Sequence, residues 1–189
     1  DDIYNPDDET NYEVKIGNLA EEWTTLHPKC VLLKACITRL ESKCINHADS
    51  ILNIFIAILN PKINSELRIY MFALLHELFE MGHFGVVLEE KAGDIVQGIL
   101  LPNLSWRVGR VASSIRKIAL KCCESLIRDS QVCRGIMKNN CAEPLVVTFL
   151  TCLEDDENII RSTCCNILRF VFTINSVLLT EDNTRKVAL

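Results

Sequence analysis

The feature that most constrains this chain is an apolar stripe that follows an arginine and occurs three times. Counting from Arg68, Arg116 and Arg161, every copy is apolar one place before the arginine and again three, four, six, seven, ten and eleven places after it. The first copy holds Leu67, Met71, Phe72, Leu74, Leu75, Leu78 and Phe79. The second holds Ile115, Ala119, Leu120, Cys122, Cys123, Leu126 and Ile127, and the third Ile160, Cys164, Cys165, Ile167, Leu168, Val171 and Phe172. Steps alternating between three and four residues put seven side chains on one broad face of an α-helix. The arginines stand 48 (68 to 116) and 45 (116 to 161) residues apart, the period of two-helix units of the HEAT and armadillo kind. The expected fold is therefore all-α, a right-handed α-solenoid of such helical hairpins.

The rest of the chain supplies partner helices. Residues 1–12 are acidic and interrupted by Pro6, and read as a flexible arm. Residues 13–189 read as the solenoid, with about four repeats. A helix over 13–26, carrying Trp23, closes at His27-Pro28. The next, from Pro28 to about Glu41, is expected to bury Val31, Leu32, Ala35, Cys36 and Leu40, the pair forming a degenerate first repeat. Outer helices are expected over 46–59, 88–101 and 142–153, with a short helix over 131–138. Pro61, Pro102-Asn103 and Asp155-Asp156 mark turns. Ser65 opens the first striped helix, and Gly82 and Gly85 end it. Before Arg116 the connection from Leu101 is 15 residues, against 9 from Leu59 to Arg68 and 8 from Leu153 to Arg161. The additional residues fall in 103–114 and predict a longer loop or an added helical turn. Thr180 reads as the cap of a further helix, cut off within a longer array.

Composition narrows the function. A net charge of -5 argues against nucleic acid, which needs clustered Lys and Arg. No apolar run approaches the ~20 residues of a membrane span, and no signal peptide is expected; the expected location is the cytoplasm. Ten cysteines without a C-x-x-C pair give no zinc spacing. Four of them lie on the stripes, where a reduced thiol acts as a small hydrophobe.

No pattern points to catalysis. His76-Glu77 begins like the zinc-protease helix, but the second histidine's place is taken by Glu80. His27, His47, His76 and His83 all lie in the first half of the chain, apart from the paired cysteines of the second. Phosphate-cradling glycine motifs are missing, and no cofactor or metal is expected. The repeat arginines carry two readings: a basic ladder on a concave surface, or, favoured, guanidinium bonds to acids or turn carbonyls of the adjoining unit, with Asp155 and Asp156 well placed. Trp106, Arg107 and Arg110 lie in the lengthened connection and have the composition of binding hot spots. A partner-binding role for them stands level with Trp106 tucking under the turn to seal the junction.

Residues 101–122 carry a resemblance. The pattern P-N-L-x-W-x-x-G-R-x-A-x-x-I-R-x-x-A, met by Pro102, Asn103, Leu104, Trp106, Gly109, Arg110, Ala112, Ile115, Arg116 and Ala119, resembles a stretch in the C-terminal half of the HEAT-repeat dynein axonemal assembly factor family. The acidic turn from Leu153 to Asp156, followed by Ile160-Arg161, is similar to that family as well. The resemblance implies a non-enzymatic cytoplasmic scaffold or co-chaperone for axonemal dynein arms of motile cilia. It implies as partners dynein heavy and intermediate chains, other assembly factors and chaperones. The alternative is a solenoid adaptor of the nuclear-transport or phosphatase-scaffold type.

Overall fold

The computed structural model describes residues 28–82 and 84–187. The expected arm, the helix over 13–26 with Trp23, His27 and His83 lie outside the described residues. Within them the chain is helical with no strand. In order come α1 (Pro28–Leu40), a 3-10 segment (Glu41–His47), α2 (Ala48–Ile58), α3 (Ser65–Glu80) and α4 (Gly85–Ile95). A π segment (Val96–Leu100) leads into α5 (Leu101–Leu104), followed by α6 (Arg110–Arg128), α7 (Ser130–Lys138), α8 (Ala142–Cys152) and α9 (Asn158–Val187).

The striped helices are α3, α6 and α9, and they pack in that order, α3 on α6 and α6 on α9, with α1 against α3. The others line a second row, α2 on α4, α4 on α7 and α5 on α8. All seven stripe positions of the first two copies are at most 8% exposed, and Phe55, Phe72, Leu75 and Leu120 are sealed completely. The third copy is covered less. Ile160, Cys164, Ile167 and Leu168 are buried, but Cys165 is exposed, Val171 is half-buried and Phe172 is 60% exposed. α3 has α1 and α6 packed on it and α6 has α3 and α9, whereas among the described residues α9 packs on α6 and α8 alone.

Several boundaries differ from the expected ones. α3 is capped by Asn64 rather than opened by Ser65: its Oδ1 accepts from the amides of Glu66 at 2.8 Å and Leu67 at 3.3 Å, the usual office of an N-cap side chain. Asp129 caps α7 in the same way, through Gln131 and Val132. α2 begins at Ala48, after the 3-10 segment, rather than at Asn46. Gly85 does not close α3 but starts α4. Pro102 does not stop the outer helix, which continues through Leu104. The π segment shifts the ladder so that the Leu101 amide bonds Val96 O, and Pro102, at the start of the new α-helical turn, needs no donor there.

α1 turns a different face inward. Cys30, Leu33 and Ile37 are buried, whereas Val31 and Leu32 are 53% and 64% exposed. Two apolar sets interleave on this helix with helical spacing, and periodicity alone does not choose between them. α9 runs unbroken from Asn158 to Val187, so Thr180 is helical rather than a cap; no Gly or Pro interrupts the chain there. Every described cysteine is a free thiol. Burial pushes the thiols of Cys122 and Cys123 up from their ordinary range. A hydrogen bond to Cys152, with burial added, does the same for Cys164.

Candidate partner-binding surface

The junctions between striped helices are built around the repeat arginines. Arg116 is 4% and Asp155 3% exposed, and the guanidinium meets the carboxylate twice, Nε to Oδ2 at 2.8 Å and Nη2 to Oδ2 at 2.8 Å. Its Nη1 donates to the carbonyl of Arg107 at 2.8 Å. Asp155 Oδ1 accepts from the Glu157 amide at 3.0 Å, satisfying the turn that precedes α9. Arg161 in turn donates Nη1 to the carbonyls of Asp155 at 2.6 Å and Asp156 at 3.0 Å. One buried carboxylate thus ties together α6, the loop before it and the start of α9.

Arg68 makes the corresponding junction with an amide. Its Nη1 donates to Asn103 Oδ1 at 2.8 Å, and Asn103 Nδ2 donates to the carbonyls of Leu59 at 2.7 Å and Ile99 at 2.8 Å. Asn103 and Asp155 stand two residues after Leu101 and Leu153, the same place in successive units. Arg68 Nε has no partner. Burial, and then the like charge of Arg107, press the Arg68 guanidinium down from its ordinary value. Asn103→Asp should destabilise the chain by about 1–3 kcal/mol, although it would set a carboxylate against Arg68. Two buried carbonyls would lose their donor and face an anionic oxygen instead. Chemical denaturation checks this; an Asn103→Asp variant as stable as the parent would sink it.

The lengthened connection divides between a loop, residues 105–109, and an added turn of α6 ahead of Ile115. Leu104, just before the loop, is buried, but Trp106 is 63%, Val108 84% and Val111 50% exposed. Trp106 is therefore not tucked under the turn; the buried residues next to it in the chain are Asn103 and Leu104. Arg107 and Arg110 are exposed. Gly109 takes φ +108°, a conformation that side-chain-bearing residues rarely adopt, and its carbonyl accepts from the Ser113 amide at 3.0 Å. The loop brings Trp106, Arg107 and Arg110 onto one connection; Arg68, Arg116 and Arg161 lie at the junctions. Sequence reasoning missed Val108 and Val111, whose signal was an apolar residue in a turn, off every stripe. It also missed Asn103 as the partner of Arg68.

A second surface is an apolar groove of about 510 Å³ between α7, α8 and α9, lined by Ile127, Cys133, Met137, Leu145, Phe149 and Val171. His76 and Glu80 approach to 3.9 Å on α3. Among the described residues no three His, Cys, Asp or Glu side chains are grouped to hold a metal ion, and no helix is long and apolar enough to cross a membrane.

Over 172 aligned positions, covering 83% of the chain, it is 26% identical to dynein axonemal assembly factor 5 of Homo sapiens. Over 189 aligned residues, covering 90% of the chain, it is 26% identical to the protein of that name from Mus musculus. It is similar to these dynein axonemal assembly factors along most of its length. The Xenopus laevis dynein axonemal assembly factor 5 is 24% identical over 144 aligned positions, covering 72% of the chain. The chain spans about a fifth of the length of these assembly factors: 20%, 21% and 17% of them in the same order. No family model and no solved structure matches it.

Proposed function

We propose that the chain is a segment of a non-enzymatic helical scaffold for the preassembly of axonemal dynein arms in the cytoplasm. The observation that carries this reading is likeness along most of the chain to proteins named as dynein axonemal assembly factors. The helix packing supports it physically. Striped helices stacked in one row, with a second row alongside, fit a right-handed solenoid of HEAT- or armadillo-like hairpins, in which each unit touches mainly its neighbours and the long surface is left for partners. Such a surface binds by spreading affinity over several units. Its clients on this reading are dynein heavy and intermediate chains, held while they meet other assembly factors and chaperones.

The test is affinity capture with the tagged chain from cytoplasm of cells building motile cilia, with retained proteins identified by mass spectrometry. Enrichment of axonemal dynein chains over an unrelated helical control is the expected result. Enrichment of nuclear-transport cargo or phosphatase subunits in their place would overturn it.

A further inference from the structure

We propose that Trp106, Arg107, Val108, Arg110 and Val111 form a docking knob for an acidic protein segment that also carries apolar side chains. The proposal deepens the scaffold reading and rests on it only in taking protein binding as the chain's work.

Three large apolar side chains, Trp106, Val108 and Val111, are exposed within six residues, and a connection has no packing need for them. Trp and Arg are the residues in which binding energy concentrates, because each offers a large rigid surface together with polar donors. Charge selects the partner. Lys91, Lys117, Arg128, Arg134 and Lys138 each face a carboxylate of the chain. The side chains of Arg107 and Arg110, like those of Lys121 and Arg169, have no such partner among the described residues, but here two of them fall within four residues of one another and residues 105–111 contain no acid. Arg107 also bears on buried Arg68 with a like charge, so a carboxylate arriving at Arg107 would relieve a repulsion as well as form a pair.

The knob is held before any partner comes. Arg116, fixed by Asp155, clamps the Arg107 carbonyl, and the conformation of Gly109 sets the exit into α6. Little loop entropy would then be lost on binding. Nucleic acid fits less well. Trp and Arg can stack on a base, but two free guanidiniums on a chain of net charge -5 give no positive track for a phosphate backbone.

The test pans a displayed library of random twelve-residue peptides on the 189-residue chain, with Trp106→Ala and the double variant Arg107→Glu/Arg110→Glu panned in parallel. Enriched peptides should be net acidic, contain aromatic or aliphatic residues, weaken as salt rises, and bind each variant at least about tenfold less well, the loss of a modest hot spot. Both variants should melt as the parent does, since the altered side chains are exposed. The proposal is overturned by an enriched pool that is not acidic, by no enrichment, by equal binding to the variants, or by a fall in melting temperature of several degrees. A labelled single-stranded oligonucleotide that binds the knob more tightly than any selected peptide also overturns it. Affinity capture with the same variants separates this proposal from the scaffold reading. Dynein chains retained by parent and variants alike would remove the knob and leave the scaffold. If the parent retains none, the scaffold reading falls, and peptide selection still decides the knob.

Discussion

Alanine at Asp155 should cost roughly 3–5 kcal/mol, the usual penalty for removing one partner of a buried ion pair. For a chain of this size that corresponds to a fall in melting temperature of roughly 6–20 °C. The penalty comes mainly from what is left behind. Arg116, 4% exposed, would keep its charge with no carboxylate to offset lost hydration, and the Glu157 amide would lose its acceptor. The damage should also spread to the loop, because Arg116 would no longer hold its grip on the Arg107 carbonyl. Asp155→Asn should cost less, since it keeps an acceptor for Glu157. The pair Arg116→Met with Asp155→Leu should recover part of the loss, because filling the site with apolar groups removes both charges together. Differential scanning calorimetry of the four chains checks the order. An Asp155→Ala chain that melts within about 2 °C of the parent, below the smallest shift expected here, would show that the junction is not held by this carboxylate.

The same residues show how much of the molecule was legible in the sequence. The stripes of Arg68 and Arg116 were legible because helical periodicity is local and broad: seven positions in one register leave a single way to be buried. The positions of the repeat arginines followed from the same register. Their partners did not, because Asn103 and Asp155 lie 35 and 39 residues further on, and only the stacking of one unit on the next brings them into reach. The inward face of α1 was not legible, since Cys30, Leu33 and Ile37 compete with Val31 and Leu32 on equal spacing. The passage through Pro102 was hidden by a π segment, a change of ladder with no composition of its own. At the loop, Trp106 and the two arginines stood out by type. Their exposure was undecided, because residue type alone does not say whether a tryptophan in a connection turns inward or outward.

The sharpest conflict between local preference and packing lies at Gly135, and it yields a prediction of definite sign. Alanine in a helix interior ordinarily stabilises by about 1 kcal/mol over glycine. In α7, however, a Cβ at residue 135 would collide with the carbonyl oxygen of Glu89 and stand 2.9 Å from its Cα and carbonyl carbon. These are backbone atoms of α4, so no rotamer change relieves the overlap and the two helices must move apart. Their separation would open the contacts of Leu88, Ala92, Val132 and Ile136, all buried. Gly135→Ala should therefore destabilise by roughly 3 kcal/mol, the upper part of the usual range for overpacked cores. Gly85 supplies the control on the same pair of helices. A Cβ there meets the side-chain oxygen of Gln131 at 2.6 Å, a flexible end that swings away, so Gly85→Ala should be much the milder change. Urea denaturation of the two variants measures both. If Gly135→Ala proves neutral or stabilising, α4 and α7 do not approach as closely as described, and the row they form must be spaced more widely.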